Sequence, residues 1–148
     1  MRIPVPWVFV LAYVSGVVLQ AFIPIPFAPD VRDVARATGF ILLSAGVALA
    51  TWALTIFRKT HTTTIPGKTS SQLVTWGPYR FSRNPMYVSL TVAYLGEAGI
   101  LGQVWPLLPL VLTLLYLNRT LVPFEEAQLE DTFGAAYAQY RANVRRWL

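Results

Sequence analysis

Three stretches with few or no charges organise the chain: residues 5–22 and 38–57 carry no charge, and residues 85–118 carry only Glu97. A helix that crosses a bilayer needs about 20 mostly apolar residues, and runs of 18 or more read as candidate spans. The third stretch is 34 positions long, too long for one crossing. Gly99, Gly102 and Pro106 supply the interruption, so it reads as a tight helical hairpin. The pattern therefore predicts helices over residues 4–22, 38–57, 85–101 and 104–121. Pro24 and Pro26 end the first, and residues 30–36 form a short polar link. Residues 58–84, rich in Thr, Ser, Pro and Gly, make the longest polar stretch. Pro123 opens a last segment that does not span. There Leu129, Phe133, Ala136, Tyr137, Tyr140 and Val144 fall three or four apart, the period of an amphipathic helix over residues 124–144, lying at the interface or closing over the bundle. The expected fold is all-α: one polytopic membrane domain over residues 1–148, with four transmembrane helices and a C-terminal amphipathic helix.

Composition agrees. The chain is 55% apolar and 13% charged, against about 25% charged residues in an average soluble domain. A soluble fold would need a core larger than the chain can enclose. The first apolar run is long for a signal peptide, and Ile23-Pro24-Ile25-Pro26 is not a small-residue cleavage site, so a retained first helix is expected. With no cysteine and a single histidine, His61, disulfides and thiolate metal sites are excluded, and no metal site is expected. The net charge of +5 implies topology more than nucleic acid. If residues 58–84 are cytoplasmic, ten cationic residues lie inside and two, Arg32 and Arg36, outside. The positive-inside bias then places both termini in the cytoplasm.

Candidate chemistry gathers at two places, each with an ordinary explanation. Residues 73–87 read LVTWGPYRFSRNPMY. Asn84 is a good N-cap, Pro85 suits the first helical position, Arg83 is an ordinary positive flank, and Trp76, Tyr79 and Tyr87 suit the interface. Residues 123–126, Pro-Phe-Glu-Glu, set two carboxylates where a first helical turn would favour them through the dipole. Their order changes the weighing. Arg-Asn-Pro-Met-Tyr opens one arm of the hairpin and Glu125-Glu126 follows the other, so both should meet at one membrane face. Glu97 is an intramembrane carboxylate, a functional candidate by default. It lies about 17 Å along the helix from Pro85, near the outer turn, where a structural or interfacial role is expected. His61, in a Thr-rich loop, reads as a solvated histidine.

LVTWGPYRFSRNPMY and the later EEAQLEDTFGAAYAQYRANV, residues 125–144, resemble the paired motifs of the isoprenylcysteine carboxyl methyltransferase and phospholipid methyltransferase superfamily. The resemblance covers about half the chain, residues 73–144. It implies methyl transfer dependent on S-adenosylmethionine, with S-adenosylhomocysteine as product, to a lipid or lipid-like acceptor. The cofactor would enter from the cytoplasm and the acceptor from the bilayer. Carried over by position, Arg83, Asn84, Pro85 and Tyr87 would line the cofactor site with Glu125 and Glu126, beside Tyr79 and the backbone at Leu73, Val74 and Gly77. Arg83, Glu125 and Tyr87 are the catalytic candidates.

The residue types suit that chemistry. Methyl transfer is an in-line displacement governed by positioning. A carboxylate can accept from a ribose diol, as Glu125 or Glu126 would. An arginine fork can grip the methionine carboxylate or a carboxylate nucleophile, as Arg83 would. The ring of Tyr87 or Tyr79 can face a sulfonium. One departure matters: Asn84 stands where the superfamily commonly has His, and an amide cannot serve as a general base. Two other classes stay open. A membrane reductase of the sterol-reductase type would bind NADPH instead, and a non-enzymatic scaffold would bind neither cofactor. The sequence leaves open the acceptor, the methylated atom (O, N or S) and the oligomeric state.

Overall fold

A computed structural model describes residues 4–59 and 72–148. His61, Arg2 and the middle of the polar stretch lie outside the described residues. Among those described there is no strand, only an isolated bridge between Pro26 and Gln103. Helices follow in the order α1 (Val5–Phe22), α2 (Pro29–Lys59), a short 3-10 turn (Gly77–Arg80), α3 (Pro85–Leu101), α4 (Leu107–Tyr116), a π turn (Leu117–Leu121), α5 (Val122–Phe133) and α6 (Ala135–Asn143). Among the described residues three helical segments are long and apolar enough to cross a membrane: Val5–Phe22, Pro29–Lys59 and Leu107–Phe133. The 17 residues of α3 rise about 25 Å. Apolar side chains such as Trp7, Leu11, Ile41, Val47, Val111 and Leu112 point outward. In water that surface would be a liability, and in lipid it is the matching solvent. The chain is an all-α membrane protein.

The second helix begins at Pro29, nine residues before the expected start at Thr38. Asp30, Arg32, Asp33 and Arg36 are therefore helical rather than a link. Pro29 at the first position and Asp30 in the first turn are ordinary helix-start chemistry. At 31 residues the helix is about 46 Å long, longer than the roughly 30 Å hydrocarbon layer. Its charged start can thus stand in the interface while the helix continues.

The most extensive packing is α2 along α3, and small residues permit it. A Cβ on Gly46 would lie 2.6 Å from the Ala93 nitrogen and 2.8 Å from the Ser89 carbonyl, so the two backbones touch at this glycine. On the other side α1 packs against α4. Tyr94 of α3 joins this group, its ring edge-on to Phe9 and Tyr13 and its hydroxyl donating to the Pro106 carbonyl at 2.7 Å. The hairpin turn falls at Gly102, whose φ of 63° is left-handed, and α4 starts only at Leu107, three residues later than expected.

Pro123 does not open a separate segment. The chain runs helically from Leu107 to Phe133. A proline inside a helix lacks the N–H for the carbonyl four residues back and crowds it. The π turn at Leu117–Leu121 widens the helix just before Pro123, and the Val122 N–H bonds to the Leu117 carbonyl five residues back. Such a bulge absorbs the misfit without ending the helix. The tail is also not one helix over residues 124–144. Gly134, with φ of 51°, divides it into α5 and α6, a backbone setting that the apolar period does not report.

Candidate functional site

The ends of α1, α2, α3 and α5 meet around a cavity of about 640 Å³. Two short structures shape its wall. The 3-10 turn Gly77–Arg80 sits against the last turns of α2. Gly77 has φ of 63°, and a Cβ there would collide with Ile56, so a glycine brings this turn against the helix. Tyr79 then packs with Ala53, Ile56 and Val74, edge-on to Phe57 at 5.3 Å between ring centres. The second structure is the start of α3. Asn84 does not cap it with its side chain. Its Nδ2 instead donates to the Arg146 carbonyl at 3.0 Å, and its own N–H is satisfied by Ser82 Oγ at 3.1 Å.

The hairpin brings its two motifs together. In the first turn of α3 the Tyr87 hydroxyl reaches Glu125 on α5, 2.7 Å from Oε1 and 2.9 Å from Oε2. One turn earlier Arg83 Nη1 stands 3.0 Å from Glu126 Oε1, with both side chains almost wholly buried. The same Nη1 donates to the Tyr137 hydroxyl at 3.4 Å. Because α4 runs on into α5, neither carboxylate lies at a free helix N-terminus. Tyrosine and arginine donors, rather than a dipole, satisfy these acids.

Of the expected site residues, Leu73, Val74, Tyr79, Arg83, Asn84, Pro85, Tyr87, Glu125 and Glu126 line the cavity, and Gly77 does not. Glu97 is exposed on α3 and is not in its lining. Two buried polar atoms at the cavity wall have no partner among the described residues: Arg83 Nε and the Tyr79 hydroxyl. Burial raises the pKa of Tyr79, and likewise that of Tyr140, whose hydroxyl donates to the Tyr79 carbonyl at 2.7 Å. Both phenols are neutral donors. Residue-by-residue reading missed Arg146, whose Nε and Nη2 reach the two oxygens of Glu126 at 3.1 and 2.6 Å. That hydrogen bonding raises the Arg146 pKa above its usual value. Nothing in the local pattern of Arg145-Arg146 separates this contact from a positive flank.

Fold and site together define an all-α membrane protein with a charged pocket at one end of its helices. The chain matches the family model described as phospholipid methyltransferase over residues 34–136, and it belongs to that family. Membership implies methyl transfer to lipid-like acceptors. The match begins inside α2 and ends inside α6, so α1 and the last residues lie beyond it. The chain is also 36% identical over 63 residues to an uncharacterized protein of Haemophilus influenzae, a match spanning 43% of this chain and 100% of that relative. No solved structure matches the chain.

Proposed function

We propose that the protein transfers the methyl group of S-adenosylmethionine to a lipid or lipid-like acceptor, isoprenoid or phospholipid, at the cytoplasmic face of the membrane. One observation carries the reading: a single cavity is lined by both charged and apolar side chains. Arg83, Glu125 and Glu126 are among the first, and Val5, Leu54, Phe57 and Leu90 among the second. A charged, water-soluble donor and a greasy acceptor need such a pair of surfaces side by side.

The residues present suit the donor. The volume falls within the roughly 300–1,000 Å³ of small-molecule pockets. Arg83 Nε and the Tyr79 hydroxyl, both buried and unpartnered, are donors awaiting an acceptor, since an unmade buried bond is costly. Arg83 would hold the methionine carboxylate, and Glu125 would accept from the ribose hydroxyls. The rings of Tyr79 and Tyr87 would lie near the sulfonium. When bound, the donor supplies an electrophilic methyl group activated by that sulfonium.

The chain's own part is orientation and exclusion of water. Tyr87 fixes the Glu125 carboxylate by donating to it, while the apolar wall holds the acceptor's chain and keeps water from the reacting centre. Asn84, with its amide already committed to a main-chain carbonyl, takes no proton. A carboxylate acceptor needs no base. An ammonium acceptor would have to lose its proton first.

Isothermal titration of the detergent-purified protein with S-adenosylhomocysteine and with NADPH tests the reading. Binding of the first and not the second is expected. The reverse result would select a reductase, and binding of neither would leave a scaffold.

A further inference from the structure

Residues 144–148 lie beyond the family match and outside every helix, yet they fasten the site on three sides. The Arg145 carbonyl accepts from the Arg83 N–H at 2.9 Å. The Arg146 carbonyl accepts from Asn84 Nδ2 at 3.0 Å and from Ser82 Oγ at 3.3 Å. Arg146 Nη1 reaches the Asn118 carbonyl at 3.4 Å and its Oδ1 at 3.3 Å, and Trp147 Nε1 donates to the same Oδ1 at 3.1 Å. Asn118 sits in the π turn. In that register the main-chain partner of its carbonyl would be Pro123, which has no N–H. The tail thus docks on an acceptor that the proline leaves available.

Glu126 has a single charge and faces two guanidinium groups. Arg146 engages both its oxygens through Nε and Nη2, the bidentate arrangement that is the stronger one. Arg83 approaches it through Nη1, at 3.0 Å, and keeps a buried Nε without a partner. Glu125 is held by Tyr87. Two cations therefore share one carboxylate, and the guanidinium less committed to it is the one lining the cavity. We propose that Arg146 is a positioning residue: it satisfies Glu126 and pins the loop at Asn84, so that Arg83 is held at the cavity wall with binding capacity left for the carboxylate of the methyl donor. The proposal rests on the S-adenosylmethionine reading above. It also gives Asn84 a task, which is to bracket the tail.

The test compares the parent with Arg146→Gln and Arg146→Lys, using two ligands. S-adenosylhomocysteine carries the amino-acid carboxylate, and adenosine does not. Arg146→Gln should weaken S-adenosylhomocysteine about tenfold or more, the scale of a lost hydrogen bond to a charged group, while adenosine competes within about twofold of the parent. Arg146→Lys should fall between, because an ammonium cannot reproduce the fork. Equal weakening of both ligands would mean that the pocket has collapsed generally, and would overturn the proposal. A second arm needs no ligand. Melting midpoints of Glu126→Gln, Arg146→Gln and the double variant should be strongly non-additive, and additive midpoints would also overturn it. A parent that binds no S-adenosylhomocysteine sinks the functional reading and with it the ligand named here. A parent that binds, with Arg146→Gln binding equally well, sinks the role of Arg146 alone.

Discussion

The Tyr87 hydroxyl lies 2.7 and 2.9 Å from the two carboxylate oxygens of Glu125, and this contact joins the first turn of α3 to the helix that returns after the hairpin. The two residues are 38 positions apart in sequence. Beside it, Arg83 and Glu126 repeat the connection with opposite charges.

Tyr87→Phe removes only the hydroxyl and keeps the ring. A hydrogen bond to a charged group contributes about 1.5–3 kcal/mol. We expect that loss in folding stability, seen as a melting midpoint several degrees lower, together with a weaker S-adenosylhomocysteine affinity because the Glu125 carboxylate is no longer fixed. Titration calorimetry checks it, and unchanged affinity would remove Glu125 from the donor site.

The two adjacent glutamates should behave differently. Glu125→Gln keeps a shape that Tyr87 can still approach, and the loss should appear in ligand binding. Glu126→Gln leaves Arg83 and Arg146 facing each other with no carboxylate between them. Breaking a buried ion pair costs about 3–5 kcal/mol. Arg146 is 31% exposed, so about 2–3 kcal/mol is expected here, seen as a lowered melting midpoint before any ligand is added. Equal midpoints for the two variants would contradict the ion-pair assignment.

Arg83→Lys separates a topological charge from a ligand. Both residues satisfy the positive-inside bias, so the variant should insert and express like the parent. The planar fork is lost, and most S-adenosylhomocysteine binding should be lost with it. Full binding by Arg83→Lys would show that the fork is not used.

Gly46→Val tests the closeness of α2 and α3. Its Cβ would lie 2.6 Å from a backbone nitrogen of α3, where no side chain can rotate away. Overpacking of this kind costs about 1–3 kcal/mol. The thermal midpoint should drop well below that of a valine placed at an outward position such as Ala48, and equal midpoints would refute the close approach.

The ten-to-two distribution of cationic residues predicts four spans with both ends in the cytoplasm. Reporter insertions after Ala28, in the link between α1 and α2, and after Thr64 should lie on opposite sides. Reporters on the same side would rule the topology out.

Much of this was legible in sequence because membrane spans announce themselves by what they lack. The uncharged runs located the apolar parts of α1 and α2, and Gly102 marked the hairpin. What failed did so for identifiable reasons. Asp30 to Arg36 reads as a link because charge marks the edge of the hydrocarbon layer and not the end of a helix, and a helix can outlast the layer it crosses. Pro123 looked like a boundary, but a π turn absorbs it. Asn84 looked like a cap, while its amide is used by a tail 62 residues away. Arg146 was one of twelve cationic residues, and no local period states which of them will meet Glu126. That contact depends on tertiary structure alone.

The backbone contact at Gly46 also sets which parts of the molecule can separate. Helices whose main chains touch cannot slide or rotate without a clash, so α2 and α3 behave as one rigid plate. The start of α1 and the end of α2 both line the cavity, and α1 packs against α4. That pair meets the plate through the rings of Phe9, Tyr13 and Tyr94, contacts that tolerate a few degrees of tilt. Glu125 and Glu126 ride on the rod that continues α4 into α5, so a tilt of the α1–α4 pair about Tyr94 is carried to both carboxylates and to their contacts with Tyr87 and Arg83. Widening the cavity and loosening its charged side chains are therefore one motion.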